Sequence, residues 1–179
     1  MAKLKIYTNP SPVLRKKAVR VEEIDKKTKK NIENMLETLR SLPGYGLAAP
    51  QTGINQRIVV IESSGIKDTE GNYTSDPIPL TILINPEITK YSKEKCDFEE
   101  GCFSVPEYRG DVIRPKKVKV VGLNENGKKI HINASGLPAR VLQHEIDHLD
   151  GILFIDLIED KNKLIKNEIG PEWKEAIEG

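Results

Sequence analysis

Two histidines and a glutamate stand close together in the segment VLQHEIDHLDG, residues 141–151. His144 and His148 are four residues apart, with Glu145 directly after the first, and the whole chain has 3 histidines. On an α-helix this spacing places two side chains on one face, so both imidazoles can bind the same metal ion, as in the HExxH pattern. The glutamate would then lie beside a water on that ion, where a general base is needed.

The residues around these histidines predict a helix that is mostly buried. At about 100° per residue, Leu137 and Val141 share the face of the two histidines. Polar residues fall in a separate arc, which we expect to be the one solvent-exposed edge: Arg140, Gln143, Asp147 and Asp150. For Asp147 we expect a structural hydrogen bond or ion pair. Glu145 lies outside this arc, where burial raises the pKa of a carboxyl unless a cation compensates.

Two histidines leave a catalytic metal one ligand short, since such sites usually have three protein ligands. No histidine follows His148, and Glu159 and Glu168 are the downstream candidates. A better candidate is Cys102, which follows a glycine in the segment EEGCFSVPEYRG, residues 99–110, read as irregular chain. Thiolates are strong ligands of Zn²⁺ and Fe²⁺. The alternative for Cys102 is a small buried residue without a ligand role.

A third segment, GYGLAAPQTG, residues 44–53, is rich in glycine and alanine. Such backbone can approach a ligand closely because few side chains stand in the way. Its one amide side chain, Gln51, can donate a hydrogen bond to a developing oxyanion.

The elements that must position these residues combine helix and antiparallel strands. Apolar residues at i, i+3, i+4 and i+7 predict a helix over about residues 25–42, stopped by Pro43-Gly44. A second helix is predicted from residues 135–138 to Gly151, a residue type common just after a helix. Strands are predicted at 57–62, 80–84, 117–123 and 128–134, with an exposed loop at 63–79 and a hairpin turn at Asn126-Gly127.

We therefore expect an α+β fold in which antiparallel strands pack around a central metal-binding helix, with residues 1–179 as a single domain. The charged tail after about residue 160 is predicted to form one or two short helices, broken at Gly170-Pro171. The lone His131, on a strand, is expected to be structural.

The composition of the chain argues against several classes of function. Lys and Arg total 28 and Asp and Glu total 27, a net charge of +1, which favours neither specific nucleic-acid binding nor an anionic membrane. There is no apolar run long enough to span a bilayer, and the start MAKLKIYTNPSPVL lacks the apolar core of a signal peptide. Cys96 and Cys102 lie too close together for a useful disulfide, and the lack of a signal peptide suggests a reducing compartment, where disulfides are rare. We expect a cytoplasmic protein.

Taken together and in order, the three segments resemble those of the peptide deformylase family, which carries GxGxAAxQ, EGCxS and QHExDH. This chain has GYGLAAPQ at 44–51, EGCFS at 100–104 and QHEIDH at 143–148, and the likeness extends over about residues 5–160. The resemblance implies an enzyme that removes the formyl group from the N-terminal formylmethionine of new polypeptides and releases formate. Its partners would be N-formylmethionyl nascent peptides; the sequence leaves open whether the tail touches the ribosome.

The resemblance also implies roles for particular residues. Cys102, His144 and His148 would bind one divalent ion, Fe²⁺ in the cell and Zn²⁺, Ni²⁺ or Co²⁺ as substitutes in a purified sample, with water in the fourth position. Glu145 would handle protons. The side chain of Gln51 and the backbone N–H of Phe103 would bind the oxyanion, and Phe103 stands where leucine is usual, a change that a backbone donor should tolerate.

The pocket for the methionine side chain is expected beside the histidine face of the second helix. Leu137 and Val141 are placed there by their helical positions, with a plain core role as the alternative. The resemblance adds four more substrate-binding residues: Tyr45 and Phe98 in the wall, Gly46 as a backbone hydrogen-bond partner and Arg109 near the downstream peptide. A surface arginine without a role is the alternative for Arg109.

Two other functions use the same residues. A zinc endopeptidase built on the HEIDH helix would need a third ligand downstream, so the loss of Cys102 should leave its metal in place. A non-enzymatic domain held together by a structural metal usually closes its site with four protein ligands. Three good candidates are visible here, which favours a site with an open position.

Overall fold

The computed structural model describes residues 2–168 and residue 174, which contain two α-helices and ten β-strands in regular structure. The helices are α1 (Lys26–Arg40) and α2 (Gly136–Leu149). The strands are β1 (Gly46–Ala48), β2 (Ile58–Ser63), β3 (Ile66–Lys67), β4 (Tyr73–Ser75), β5 (Ile78–Tyr91), β6 (Lys95–Cys102), β7 (Val105–Pro115), β8 (Lys117–Leu123), β9 (Lys129–Ser135) and β10 (Ile165–Lys166). Short 3₁₀-helices lie at Pro12–Arg15, Ala49–Thr52, Phe154–Leu157 and Lys161–Lys163.

The strands form three sheets, and each pair of neighbouring strands is antiparallel. The largest has the order β1-β2-β5-β8-β9, the second the order β10-β7-β6, and the third is the β3-β4 hairpin. Helix α2 lies between the large sheet and the hairpin formed by β6 and β7. The predicted α+β fold with a central helix is therefore confirmed. Within the described residues, neither helix has both the length and the apolar composition needed to cross a bilayer.

Successive side chains along each strand of the large sheet point to opposite faces, and a separate apolar core lies on each face. In β2, Val59 and Ile61 belong to the core against α2, whereas Ile58 and Val60 belong to the core against α1. This is the two-residue period of a strand that is covered on both sides. A third apolar cluster, which includes Cys102, lies under the β6–β7 hairpin. The site helix is thus held by packing on two sides.

The ends of the helices follow from their terminal residues. Helix α1 begins after Asp25, whose carboxylate accepts a hydrogen bond from the Thr28 N–H at 2.7 Å. Helix α2 is followed by Gly151, with φ +76, and a Cβ there would lie 2.6 Å from the Arg15 carbonyl oxygen. Glycine is required at this position both for the left-handed backbone and for the close approach of another chain segment.

The prediction of irregular chain over residues 99–110 is wrong. These residues belong to β6 and β7, which pair from Lys95–Pro115 down to Cys102–Val105 and turn tightly at Phe103 and Ser104. The glycine, serine and proline in the segment led to the wrong prediction, because these residues usually indicate irregular chain. Here they are tolerated at the turn and at irregularities of an edge ladder. The predicted loop at 63–79 likewise contains the β3–β4 hairpin. The predicted break of the tail at Gly170-Pro171 lies outside the described residues.

The expectation of a solvent-exposed polar edge on α2 is also wrong for two of its four residues. Arg140 and Gln143 are buried. The Gln143 side chain donates to the carbonyl oxygens of Pro115 and Ala139 at 3.0 and 2.9 Å, so the end of β7 covers it. A helical wheel assigns polar residues to water and does not show a neighbouring strand that offers them partners.

Replacing Leu83 by alanine is expected to lower the free energy of unfolding by about 2–5 kcal/mol, because a fully buried leucine leaves a cavity when it is truncated. Leu83 lies on β5 in the core against α2 and is 0 % exposed. The matched control is Leu80→Ala on the same strand, where the side chain is 45 % exposed; we expect a change of about 0.5 kcal/mol or less there. Urea unfolding of the two variants measures both, and equal effects would contradict the assignment of this core.

Candidate metal centre

Three side chains that could bind a metal ion converge where the end of β6 meets α2. Within the described residues, Cys102, His144 and His148 form the one group whose ligand atoms all lie within 4.8 Å of one another. The Cys102 Sγ is 3.1 Å from Nε2 of His148. One thiolate and two imidazoles are a donor set that suits a transition metal, and bonds of about 2.0–2.3 Å can draw such a group around one ion. The site therefore fits a single metal ion.

The orientation of the His144 ring is set by Glu100. Nδ1 of His144 lies 2.8 Å from a Glu100 oxygen, which leaves Nε2 as the ring nitrogen for a metal. Glu100 is itself held by Arg114 at 2.6 Å and by Arg140 at 2.7 Å. Burial alone would raise the pKa of Glu100, but the hydrogen bonds from His144 and Arg114 outweigh it and lower the pKa to about 2. The carboxylate is therefore charged and fixed.

Sequence reasoning missed this supporting role, although Glu100 stands inside the EGCFS segment. Its partner Arg114 also binds Asp147 at 2.7 Å, which is the structural ion pair expected for Asp147. The signal that could have found Glu100 is general: a metal-binding histidine nearly always donates its second ring N–H to a carboxylate or carbonyl oxygen.

The surroundings of the two histidines shift their pKa values in opposite directions. Burial holds the pKa of His148 well below its usual value, so this ring is neutral, the form that binds a metal. For His144, burial acts in the same direction, but Cys102 and Glu100 outweigh it and raise the pKa well above its usual value.

Glu145 is buried beside the three candidate ligands, at the wall of a cavity. Its side chain is buried, and among the described residues its Oε2 has no hydrogen-bond partner. Burial raises the pKa of this carboxyl to about 7, and a cation held by the three ligands would lower it again. Gly46 faces the carboxyl so closely that a Cβ there would be 2.7 Å from Oε1. The absence of a side chain at residue 46 leaves room for Glu145.

The amide group of Gln51 is oriented by the backbone of its own segment. Its Oε1 accepts the Ala48 N–H at 2.8 Å, so the NH₂ group must point the other way. Nε2 lies 3.5 Å from Cys102 Sγ and 3.3 Å from Ser104 Oγ. The structure thus places an N–H donor beside the metal ligands. Phe103 follows Cys102 in the β6–β7 turn and is buried, with its ring against Gly44.

A cavity of about 240 Å³ opens beside these groups. Ten of the twelve residues assigned to the site from the sequence line this cavity: Tyr45, Gly46, Gln51, Phe98, Cys102, Phe103, Leu137, Val141, His144 and Glu145. The two exceptions are Arg109 and His148. His148 lies deeper and is 1 % exposed. Arg109 is on the surface in an ion pair with Glu99, which does line the cavity.

The wall residues that were not assigned to the site from the sequence include Arg140, which was expected on the solvent-exposed edge of α2, and Asn167. Arg140 lies 5.6 Å from the centre of the Phe98 ring and binds Glu100, so it joins the cavity to the metal site. Asn167 reaches the wall from the C-terminal segment. The downstream ligand candidates Glu159 and Glu168 are both exposed and outside the group of three.

Comparisons with known proteins agree with this geometry. The family model of polypeptide deformylase matches residues 3–164. A peptide deformylase of Halothermothrix orenii is 49 % identical over 158 residues, which is 88 % of this chain and 95 % of that protein.

Solved structures are similar over the same range. A peptide deformylase of Thermotoga maritima has a TM-score of 0.77 at 39 % identity, covering 89 % of this chain and 100 % of that one. A class I type b peptide deformylase of Acinetobacter baumannii with Met-Ala-Ser bound has a TM-score of 0.81 at 33 % identity, covering 88 % and 99 %. The chain therefore belongs to the polypeptide deformylase family.

Proposed function

We propose that this chain removes the formyl group from N-terminal formylmethionine, with release of formate, at the centre formed by Cys102, His144 and His148. The observation that carries the proposal is the meeting of one thiol and two imidazoles beside a buried carboxyl and an oriented amide, at the wall of a cavity. The family of the chain supports the same activity. The Met-Ala-Ser peptide bound to the Acinetobacter baumannii relative supports formylated nascent peptides as substrates.

The ion proposed for the cell is Fe²⁺, with Zn²⁺, Ni²⁺ or Co²⁺ as substitutes in a purified sample. Cysteine and histidine ligands suit both iron and zinc, and the preference for Fe²⁺ rests on the resemblance to the family. When bound, the ion acts as a Lewis acid toward the formyl oxygen and toward water.

Glu145 is proposed to move the proton during the reaction. It takes a proton from the attacking water and gives it to the nitrogen of the leaving amine, which balances the hydrolysis of the amide. The support is positional: the carboxyl is adjacent to a ligand in sequence, lines the cavity, and has an Oε2 without a partner among the described residues. An oxygen with no other partner is free to bind the substrate water.

Gln51 and the backbone N–H of Phe103 are proposed to donate hydrogen bonds to the oxyanion that develops on the formyl carbon. Support for Gln51 is the bond between its Oε1 and Ala48, which turns the NH₂ group toward Cys102. Support for Phe103 is its position directly after the cysteine ligand and in the cavity wall. Donors that are already oriented stabilise charge without reorganising in the transition state.

Replacing Gln51 by glutamate is expected to lower kcat about 10²–10³-fold, the usual cost of one lost oxyanion donor. Glutamate keeps an oxygen that can accept the Ala48 N–H, and it replaces the donor NH₂ by a charged oxygen, so the change removes the donor and adds a negative charge beside Cys102. Steady-state kinetics of formate release, together with the metal content of the variant, measures the effect. Unchanged kcat at full metal content would remove Gln51 from the proposed mechanism.

The methionine side chain is proposed to enter the cavity beside Leu137 and Val141, with Tyr45 and Phe98 on the other walls. Gly46 is proposed to bond the peptide through its backbone. Arg109 is proposed to act at the rim, next to the downstream peptide, where it pairs with the cavity residue Glu99.

The test of the activity is direct. The protein is purified without oxygen, loaded with Fe²⁺ or Ni²⁺, and given formyl-Met-Ala-Ser, and the formate released is measured. Release of formate with turnover is the expected result. No formate from protein with confirmed bound metal would exclude the proposal. Cleavage of an internal peptide bond instead would favour the endopeptidase, which the upstream position of Cys102 speaks against. A cytoplasmic location stays a prediction, and whether the tail contacts the ribosome stays open.

A further inference from the structure

The C-terminal segment returns to the active-site cavity along the outer edge of the β6–β7 hairpin. Strand β10 pairs with β7, with Ile165 opposite Arg109 and Lys166 opposite Tyr108. The pairing continues one residue further, because the Asn167 N–H donates to the Glu107 carbonyl oxygen at 2.9 Å. The segment is therefore bound to the strand that follows the Cys102 turn, and its last step brings Asn167 to the cavity wall.

The side-chain amide of Asn167 is oriented by one hydrogen bond that it donates, while its oxygen is available as an acceptor. Its Nδ2 donates to the Pro106 carbonyl oxygen at 3.3 Å, which fixes the direction of the amide group. Within the described residues its Oδ1 accepts no hydrogen bond, and the residue is half-buried. An amide held by one end and carrying an unused acceptor in a cavity wall is suited to bind an N–H group of a ligand.

Its position separates it from the parts of the cavity already assigned. The formyl group is proposed to bind at the metal site that includes Cys102, and the methionine side chain beside Leu137 and Val141 on α2. Asn167 stands instead on the hairpin side, through its bonds to Pro106 and Glu107. The part of the substrate that remains for this side is the main chain that continues beyond methionine, whose N–H groups need acceptors when water is excluded.

We propose that Asn167 is a specificity-determining residue, whose Oδ1 accepts a main-chain N–H from one of the two residues after formylmethionine. The inference rests on the proposed deformylase function and adds a preference for peptides over shorter formylmethionine derivatives. Its contribution is to the binding of the peptide and not to the chemistry at the formyl group.

The test compares a long and a short substrate. With formyl-Met-Ala-Ser, Asn167→Ala should lower kcat/KM about 2- to 10-fold, mainly through KM, as expected for one net hydrogen bond. With formyl-Met methyl ester, which has no N–H beyond methionine, the same variant should have the kcat/KM of the protein without the substitution. The control is Lys166→Ala, one residue earlier on the exposed β10, which should leave both substrates unaffected.

Peptides methylated on nitrogen identify the bond. Two further substrates carry an N-methyl group on the alanine or on the serine. For the one whose N–H binds Oδ1, Asn167→Ala should have no further effect, since the two changes remove the same interaction and are not additive.

The outcomes separate the two proposals. Equal losses on peptide and ester, no loss on either, or a loss that persists with both methylated peptides would overturn the role of Asn167 while leaving deformylation in place. Failure of the unchanged, metal-loaded chain to release formate from peptide and ester alike would contradict the proposed function instead.

Discussion

Glu145→Gln is expected to lower kcat for formate release about 10²–10⁴-fold, the usual contribution of a positioned general acid and base. Glutamine has nearly the same shape, so the close approach of Gly46 to this side chain is kept. What changes is the ability to take a proton from water and return it to the leaving amine. Because the loss concerns the chemical step, KM should change little.

Metal content is the decisive second measurement for this variant. Glu145 is outside the group of three ligands, so the variant should hold as much metal as the unchanged chain. Glu159→Gln is the matched control, since this exposed glutamate stands outside that group and should be dispensable. A Glu145→Gln enzyme with full activity would show that another group moves the proton. A variant that loses its metal would instead place Glu145 among the ligands.

Cys102→Ala is expected to have the second large effect, the loss of the metal itself. Removal of an outer partner of a ligand typically weakens binding about 10–100-fold, and removal of a ligand should cost more. Only the two imidazoles would remain, and formate release should fall with the metal content. Metal analysis after dialysis against a chelator, on protein prepared without oxygen, measures this.

The second cysteine of the chain supplies the control. Cys96 is half-buried on β6, with its Sγ 3.5 Å from Arg140 and outside the group of metal ligands. Cys96→Ala should keep both metal and activity. If the Cys102 variant kept its metal while the Cys96 variant lost it, the proposed ligand set would be wrong. If Cys102→Ala retained both metal and peptide cleavage, the endopeptidase with a downstream ligand would be favoured.

Local pattern was sufficient for the elements that bear the histidines. Helix α2 is predicted by the sequence because its apolar spacing and Gly151 after its end are signals between near neighbours. The β8–β9 hairpin was predicted because the Asn-Gly turn and its flanking β-branched residues lie within one short segment. The three ordered segments were likewise visible in the chain, and the structure brings Gln51, Cys102 and the two histidines together.

The β6–β7 hairpin shows where local pattern fails. Its ladder joins Lys95 to Pro115, and only the partner strand and the helix beneath it make this polar, glycine-containing stretch regular. Arg140 is a second case, since the sequence alone predicts a solvent-exposed side chain for it. In the structure its charge is satisfied inside the protein by Glu100 and by the carbonyl oxygens of Cys96 and Val112. Burial of a charged group depends on its partners, which are far away in sequence.

By itself, then, the sequence determined both helices and the β8–β9 hairpin, and its three ordered segments indicated the family and the proposed metal ligands, since each of these signals lies within a few neighbouring residues. The tertiary structure alone decided that Glu100 orients His144, that Gly46 leaves room for Glu145, and that Asn167 closes one wall of the cavity. These contacts join segments separated by tens of residues. No periodicity links such segments, and packing and hydrogen bonding in the folded chain are what bring them together.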